Sequence, residues 1–234
     1  MIEVVLASRN KKKIAEMQTL LGETCGDAIR VLSLDDIGFD GDITEDGSTF
    51  AENAIIKAAT PASMGYIGIA DDSGLCVDAL DGAPGIYSAR YSEDMPDTGA
   101  DRDTMNNEKL LRELDGVPDE QRGAKFVCTV ACVIPERYGV PADAFADTHK
   151  LSPAELARAG KCAAFAVRGE FCGVINHAAA GCGGFGYDPL FYLPEYGMTS
   201  AEILAEEKNR ISHRGRAVRA FGEVFSRIAE EYLK

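Results

Sequence analysis

The sequence predicts an α/β fold: a mixed, twisted β-sheet flanked by helices. Three observations lead there. Apolar runs at residues 4–7, 66–70 and 126–134 read as buried strands. Stretches with apolar residues at helical spacing separate them. The two patterns alternate along the whole chain, with short polar connections. A chain of 234 residues that is 46% hydrophobic is long enough for one core, or for two small lobes sharing a cleft.

Residues 4–7 form the first predicted strand and end in the polar turn Ser8-Arg9-Asn10. A helix follows from Lys11, with Ile14, Met17, Leu20 and Leu21 on one face. Residues 40–47 are acidic and turn-rich, and Thr49-Phe50-Ala51-Glu52 reads as a capping box opening a second helix. That helix should stop or kink near Pro61. The short strand at 66–70 is expected to end as it runs into Asp71-Asp72-Ser73-Gly74, and 82–85 is a loop. Residues 106–114 are a helix and 126–134 a buried strand. The stretch 135–162 reads as loop, with a short helix starting near Ser152-Pro153. Residues 163–167 and 171–175 are expected to pair as two strands turning at Arg168-Gly169-Glu170. Residues 181–191 are glycine-rich and aromatic. Two helices close the chain, one over 200–208 and one after Ser212 that places Ala217, Phe221, Val224, Phe225 and Ile228 on one face.

Composition narrows the function. A net charge of −14 argues against binding nucleic acid polymers, which need clustered Lys and Arg, but leaves room for a small anion held by a local basic pocket or a metal. No apolar run reaches the roughly 20 residues that span a bilayer, and the acid in Met1-Ile2-Glu3-Val4 stands where a signal peptide would carry bases. A cytoplasmic protein is expected. The cysteine count is 7, with no Cys-x-x-Cys pair, so reduced thiols are expected; the spacing of Cys172, His177 and Cys182 fits no zinc module.

Three kinds of group are suited to chemistry: carboxylates, clustered cations and a glycine-aromatic stretch. Asp71 and Asp72, following a strand, and Glu45, in an acidic turn before a helix, are carboxylates able to hold magnesium or activate water; the plain alternative is turn formers and solvated surface. Lys11, Lys12 and Lys13 oppose the dipole of the helix they open, a conflict that a bound phosphate would relieve; the alternative is a solvated basic face. A second basic cluster, Lys208, Arg210, His213, Arg214 and Arg216, surrounds a helix–helix junction, where pairing with Glu206 and Glu207 is the alternative. In Gly183-Gly184-Phe185-Gly186-Tyr187-Asp188-Pro189 the glycines allow close backbone approach, Phe185 offers a stacking face, and Asp188 can accept from ring N–H groups; a bulged strand with a core Phe is the alternative. P-loop and nucleophile-elbow motifs are absent, and no Gly-x-Gly-x-x-Gly follows a predicted strand.

Taken in order, these blocks resemble the inosine triphosphatase family, also called Ham1-like or dITP/XTP pyrophosphatases. The resemblance rests on Ala7-Ser8-Arg9-Asn10-Lys11-Lys12-Lys13, on Glu45 through Ala54, on Ala70-Asp71-Asp72-Ser73-Gly74-Leu75, on Gly82 through Arg90, on Gly183 through Pro189, and on Glu206 through Arg214. It spans nearly the whole chain.

The resemblance implies a single catalytic domain over residues 1–234, two-lobed around a deep cleft, usually a homodimer, with Mg2+ as cofactor. It implies hydrolysis of dITP, ITP and XTP between the α- and β-phosphates, cleansing the nucleotide pool. By the same resemblance, Ser8, Arg9, Asn10, Lys11, Lys12 and Lys13 cradle the phosphates. Glu45 and Asp72 hold the metal, Asp72 is also the proton acceptor, and Lys57 assists at the phosphates. Ser73, Phe185, Gly186, Tyr187, Asp188, Lys208, His213 and Arg214 match nucleotide-binding positions, with Lys13, Lys57 and Lys208 spreading charge on the leaving pyrophosphate. Residues 138–161 form a connection longer than the family's usual one, and Arg9 and Lys11 make the first turn unusually basic. The alternatives are a Maf-like pyrophosphatase of different base preference and a nucleotide-binding module without catalysis.

Overall fold

Side-chain alternation along three long strands organises the fold. In the computed structural model, which describes residues 1–26, 29–96, 99–142, 144–145 and 151–233 and only the backbone of Lys12, these are β3 (Ile67–Val77), β4 (Gly123–Ile134) and β5 (Ala163–Ile175). With β1 (Ile2–Leu6), β2 (Ile29–Leu32), β6 (Phe191–Leu193) and β7 (Met198–Thr199) they form one sheet in the order β2-β1-β3-β4-β5-β6-β7. β1 is parallel to β2 and to β3, whereas β5–β6 and β6–β7 are antiparallel, so the sheet is mixed. The helices are α1 (Lys11–Cys25), α2 (Phe50–Ser63), α3 (Arg102–Glu113), α4 (Pro153–Ala159), α5 (Ala205–Ile211) and α6 (His213–Tyr232). None of the described helices is long and apolar enough to cross a membrane.

The chain divides into two compact units. The first comprises Met1–Asp72, Cys128–Gly169 and Gly215–Lys234, and the second Ser73–Val127 and Glu170–Arg214. In the first unit, successive strand residues point to opposite faces. Ile67, Ile69, Cys128, Val130, Cys132, Phe165 and Val167 pack with Met17, Leu20 and Leu21 of α1 and with Ala217, Phe221 and Phe225 of α6. The intervening Ala70, Ala131, Val133 and Ala164 meet Ala54, Ile55, Ala58 and Ala62 of α2 and Ala159 of α4. Small residues on that second face let α2 come close: a Cβ at Gly68 would lie 1.9 Å from the Ala58 carbonyl oxygen. The second unit has its own core, including Leu75, Val77, Leu110, Leu114, Phe126, Phe171 and Phe191. All cysteines are free, and Cys128 and Cys132 are buried as expected.

Several sequence expectations need correction. The strand does not end at Ala70, and residues 71–74 do not form the alternative turn: β3 runs through them to Val77, because Leu75 and Val77 reach the second core and extension is rewarded beyond the acidic pair. Residues 168–170 do not turn either. β5 is one continuous strand, and Glu170 pairs with Lys125 of β4 at 3.1 Å. α2 does end near Pro61, at Ser63; so close to the helix end the proline forfeits little, and its carbonyl accepts from the Met64 and Tyr66 N–H groups. At the start of α2, Thr49 accepts from the Glu52 N–H, but the Glu52 carboxylate reaches Ser48 instead of closing a box on Thr49. α3 begins at Arg102, capped by Asp101, and α5 begins at Ala205, later than expected. α4 follows the expectation, with a capping box between Ser152 and Glu155.

Candidate active site

The alternation that sorts the core also separates the two aspartates. Asp71 shares the parity of Ile67 and Ile69, and both its carboxylate oxygens lie 3.3 Å from Lys13 Nζ on α1. Asp72 shares the parity of Gly68 and Ala70, and its Oδ1 lies 3.0 Å from Lys57 Nζ on α2. Lys57 Nζ also donates to Glu45 Oε2 at 2.8 Å, so one ammonium bridges two carboxylates. Asn53, one turn earlier on α2, holds the arrangement from both sides. Its Nδ2 donates to Asp72 Oδ2 at 3.3 Å, and its Oδ1 accepts from the Gly47 N–H at 2.9 Å. Gly47 must be a glycine, since a Cβ there would sit 2.6 Å from Asn53 Oδ1.

The electrostatics follow from that packing. Burial lifts the Asp72 carboxyl above its ordinary value; Lys57 and Asn53 pull it back, and Glu45 adds to the rise. Burial works against the Lys57 ammonium, yet Asp72 and Glu45 outweigh it and hold its pKa above the usual lysine value. Among the described residues no three His, Cys, Asp or Glu side chains cluster as metal ligands. Two carboxylates converging on one cation fit magnesium, which takes one or two protein carboxylates and completes its shell with water and phosphate oxygens.

The basic turn is built by local hydrogen bonds. Ser8 Oγ accepts from the Asn10 N–H, and Asn10 Oδ1 accepts from the Lys13 N–H, capping α1. Lys11 is exposed, and the Lys12 side chain lies outside the described residues. Arg9 is engaged elsewhere: Nη2 donates to the Phe39 and Gly41 carbonyls, both at 2.8 Å, and Nε lies 3.3 Å from Asp35.

The second unit holds a cavity of about 160 Å³ lined by Ser73, Gly74, Ser88, Asp103, Phe126, Phe185, Gly186, Tyr187, His213 and Arg214, among others. A cavity near 150 Å³ takes a benzene ring, so this one suits a flat aromatic group. Phe185 is 62% exposed, a wall with an open face, and Lys208 Nζ lies 5.1 Å from its ring centre. His213 stacks on Phe126 with ring centres 5.0 Å apart. Tyr187 is buried and donates its hydroxyl to the Ser88 carbonyl at 2.8 Å; burial raises its pKa. Asp188 does not line this cavity. Its carboxylate accepts from the Phe185 N–H and from Ser200 Oγ, each at 2.8 Å, and pairs with Lys208. At 3% exposure it anchors the loop beneath the ring wall, an arrangement different from the expected contact with a ring N–H.

A sequence model of the Ham1 family matches residues 4–224. The chain belongs to the Ham1 family. Among curated Ham1-type relatives it is similar to a dITP/XTP pyrophosphatase of Nitratidesulfovibrio vulgaris, 43% identical over 229 residues and 95% of each chain. It is also similar to one of Geobacillus kaustophilus, 44% identical over 230 residues, 97% of this chain and 96% of the relative. A solved HAM1 protein from Coxiella burnetii superposes with a TM-score of 0.78 at 37% identity, covering 97% of this chain and 100% of that one.

Sequence reasoning missed several residues of this Ham1-family site. Asn53 lay inside a quoted motif but had no assigned task, because only the fold shows that it reaches both Gly47 and Asp72. Asp103 and Asn106 line the ring cavity, yet the predicted helix began only at Asn106. The Asp101-Thr104 pair was a readable N-cap signal that would have moved that start forward.

Proposed function

We infer that this Ham1-family protein is a nucleoside triphosphate pyrophosphatase that cuts dITP, ITP and XTP to monophosphate and pyrophosphate in the presence of Mg2+. The carrying observation is Lys57, bridging Glu45 and Asp72 in the first unit. A purine triphosphate asks for carboxylates and amines at its phosphates and a flat, partly polar pocket at its base. Both kinds of place are present, and they are linked by chain: Asp72 is followed directly in β3 by Ser73, which lines the ring cavity.

Glu45 and Asp72 would hold the magnesium ion, which supplies charge screening at the phosphate oxygens. Asp72 accepts the proton of the attacking water, a task suited to a carboxyl whose affinity for protons is raised. The water oxygen bonds to the α-phosphorus, and the bond from that phosphorus to the α–β bridging oxygen breaks. Lys57 and Lys13, with Ser8, Asn10, Lys11 and Lys12, receive the charge of the leaving pyrophosphate. Phe185, Gly186, Tyr187, Ser73, His213 and Arg214 take the base, with Asp188 and Lys208 fixing the Phe185 wall. A 6-oxo purine satisfies donors that adenine would leave unpaired. The reading extends to one catalytic domain over residues 1–234 and to a homodimer, as the family resemblance implies, and to a cytoplasmic location, as the sequence composition suggests; light scattering reads the oligomeric state.

The test is a panel of triphosphates with Mg2+ in 18O-water. The expected products are pyrophosphate and a labelled monophosphate, with dITP and XTP preferred over dATP. Asp72→Asn should lose nearly all turnover while still binding IMP. Orthophosphate as the product, or full activity in Asp72→Asn, would overturn the reading.

A further inference from the structure

Gly186, in the wall of the ring cavity, is gripped at both ends of its backbone by one helix. Its N–H donates to Asp103 Oδ2 at 2.8 Å, and its carbonyl accepts from Asn107 Nδ2 at 2.9 Å. Asp103 and Asn107 are four residues apart on α3 and therefore share a face. Among the described residues Asn107 Oδ1 is buried without a hydrogen-bond partner, so among them the Gly186 carbonyl sets which way that amide points. The intervening Asn106 holds another part of the cavity lining: its Nδ2 donates to the Ser88 carbonyl at 3.2 Å, and its Oδ1 accepts from the Ser92 N–H at 2.9 Å. α3 thus ties together the two segments, around Ser88 and around Gly186, that border the cavity.

We propose that Asp103 and Asn107 are positioning residues for base selection: a two-point clamp on the Gly186 backbone that holds the Phe185–Gly186 wall in its binding geometry. The inference rests on the purine triphosphate reading above. Its physical basis is the softness of the segment clamped. Gly184 and Gly186 both have positive φ, and glycine-rich backbone has many alternatives to lose on ordering. One hydrogen bond would leave the Gly186 backbone free to swing about it; a donor at one end and an acceptor at the other prevent that. If only a fraction of molecules carry the wall in place, apparent affinity falls by that fraction. Neither side chain is assigned to the phosphates, so the chemical step is spared.

The clamp has a polarity, and that makes it testable. Asp103→Asn keeps an acceptor for the Gly186 N–H and should raise KM for dITP less than Asp103→Ala does. Asp103→Ala and Asn107→Ala should each raise KM for dITP by about three- to tenfold, the scale of one lost hydrogen bond, with kcat unchanged and a smaller preference for dITP over dATP. Asn107→Asp sets a carboxylate against the Gly186 carbonyl and should be worse than Asn107→Ala. A merely structural role would lower melting temperature in all four without this ordering of KM and preference. If the parent enzyme cleaves no purine triphosphate, the functional reading fails. If it does, and Asp103→Ala and Asn107→Asp keep its KM and base preference, the clamp is refuted while the functional reading stands.

Discussion

Asp71 and Asp72, adjacent in the chain, face opposite sides of β3. Asp71 meets Lys13 of α1, and Asp72 meets Lys57 of α2. Glu45 also bonds Lys57, so Asp72 shares its cation with a second carboxylate.

Lys57 should therefore be the residue on which that cluster's stability turns. Lys57→Met leaves a largely buried Asp72 beside Glu45 with no cation between them, and should cost about 3 kcal/mol at neutral pH. Lys57 lowers the Asp72 pKa, so its removal raises that pKa further. The folded variant then gains stability by taking up a proton, and the deficit should shrink as pH falls. Urea unfolding at pH 7.5 and pH 5 checks this; an equal deficit at both would contradict it.

Gly68→Ala should destabilise by about 3 kcal/mol or more, because the added Cβ would collide with the Ala58 carbonyl rather than with a side chain able to move. Since α2 carries Lys57 and β3 carries Asp72, activity should fall with it. A thermal melt together with pyrophosphate release measures both losses.

Phe185→Ala separates binding from folding. The ring is mostly exposed, so the melting temperature should stay within a degree or two. A lost base–aromatic stack is worth about 1–3 kcal/mol, so KM for dITP should rise about tenfold or more. Steady-state kinetics alongside calorimetric melts would show the split; an unchanged KM would remove Phe185 from the base site.

Asp101 supplies a pH signature for the helix that holds the proposed clamp. The hydroxyl and N–H of Thr104 hold its carboxyl below the ordinary aspartate value of 3.8. A depressed folded-state pKa means stability that is present above pH 3.8 and lost as pH falls through the folded value. Asp101→Asn keeps an N-cap without the titration. The parent protein's advantage over the variant, read from urea midpoints, should shrink between pH 6 and pH 3.

Much of the fold was legible because local chemistry settles it. Met17, Leu20 and Leu21 marked α1 by spacing, and Ser152-Pro153 marked the start of α4. The misplaced strand end and the misplaced turn share one cause. Asp71–Gly74 and Arg168–Glu170 carry turn-like residues, but both lie where a long strand leaves one core for another, and the next apolar pair keeps the chain extended.

Sequence alone determined the presence of the helices and of the apolar stretches of the long strands, the mixed α/β class, and the inventory of carboxylates, amines and aromatic residues from which a phosphate and base site would be made; it did not mark the short strands β2, β6 and β7. Tertiary structure alone decided the partners: Lys57 between Glu45 and Asp72, Asp188 beneath Phe185 instead of within the cavity, and Asn53 joining Gly47 to Asp72. The reason is range. Helix spacing and strand alternation are read within a few residues, whereas which helix covers which strand face depends on contacts far apart in the chain, and in this protein that choice gives each charged side chain its neighbour.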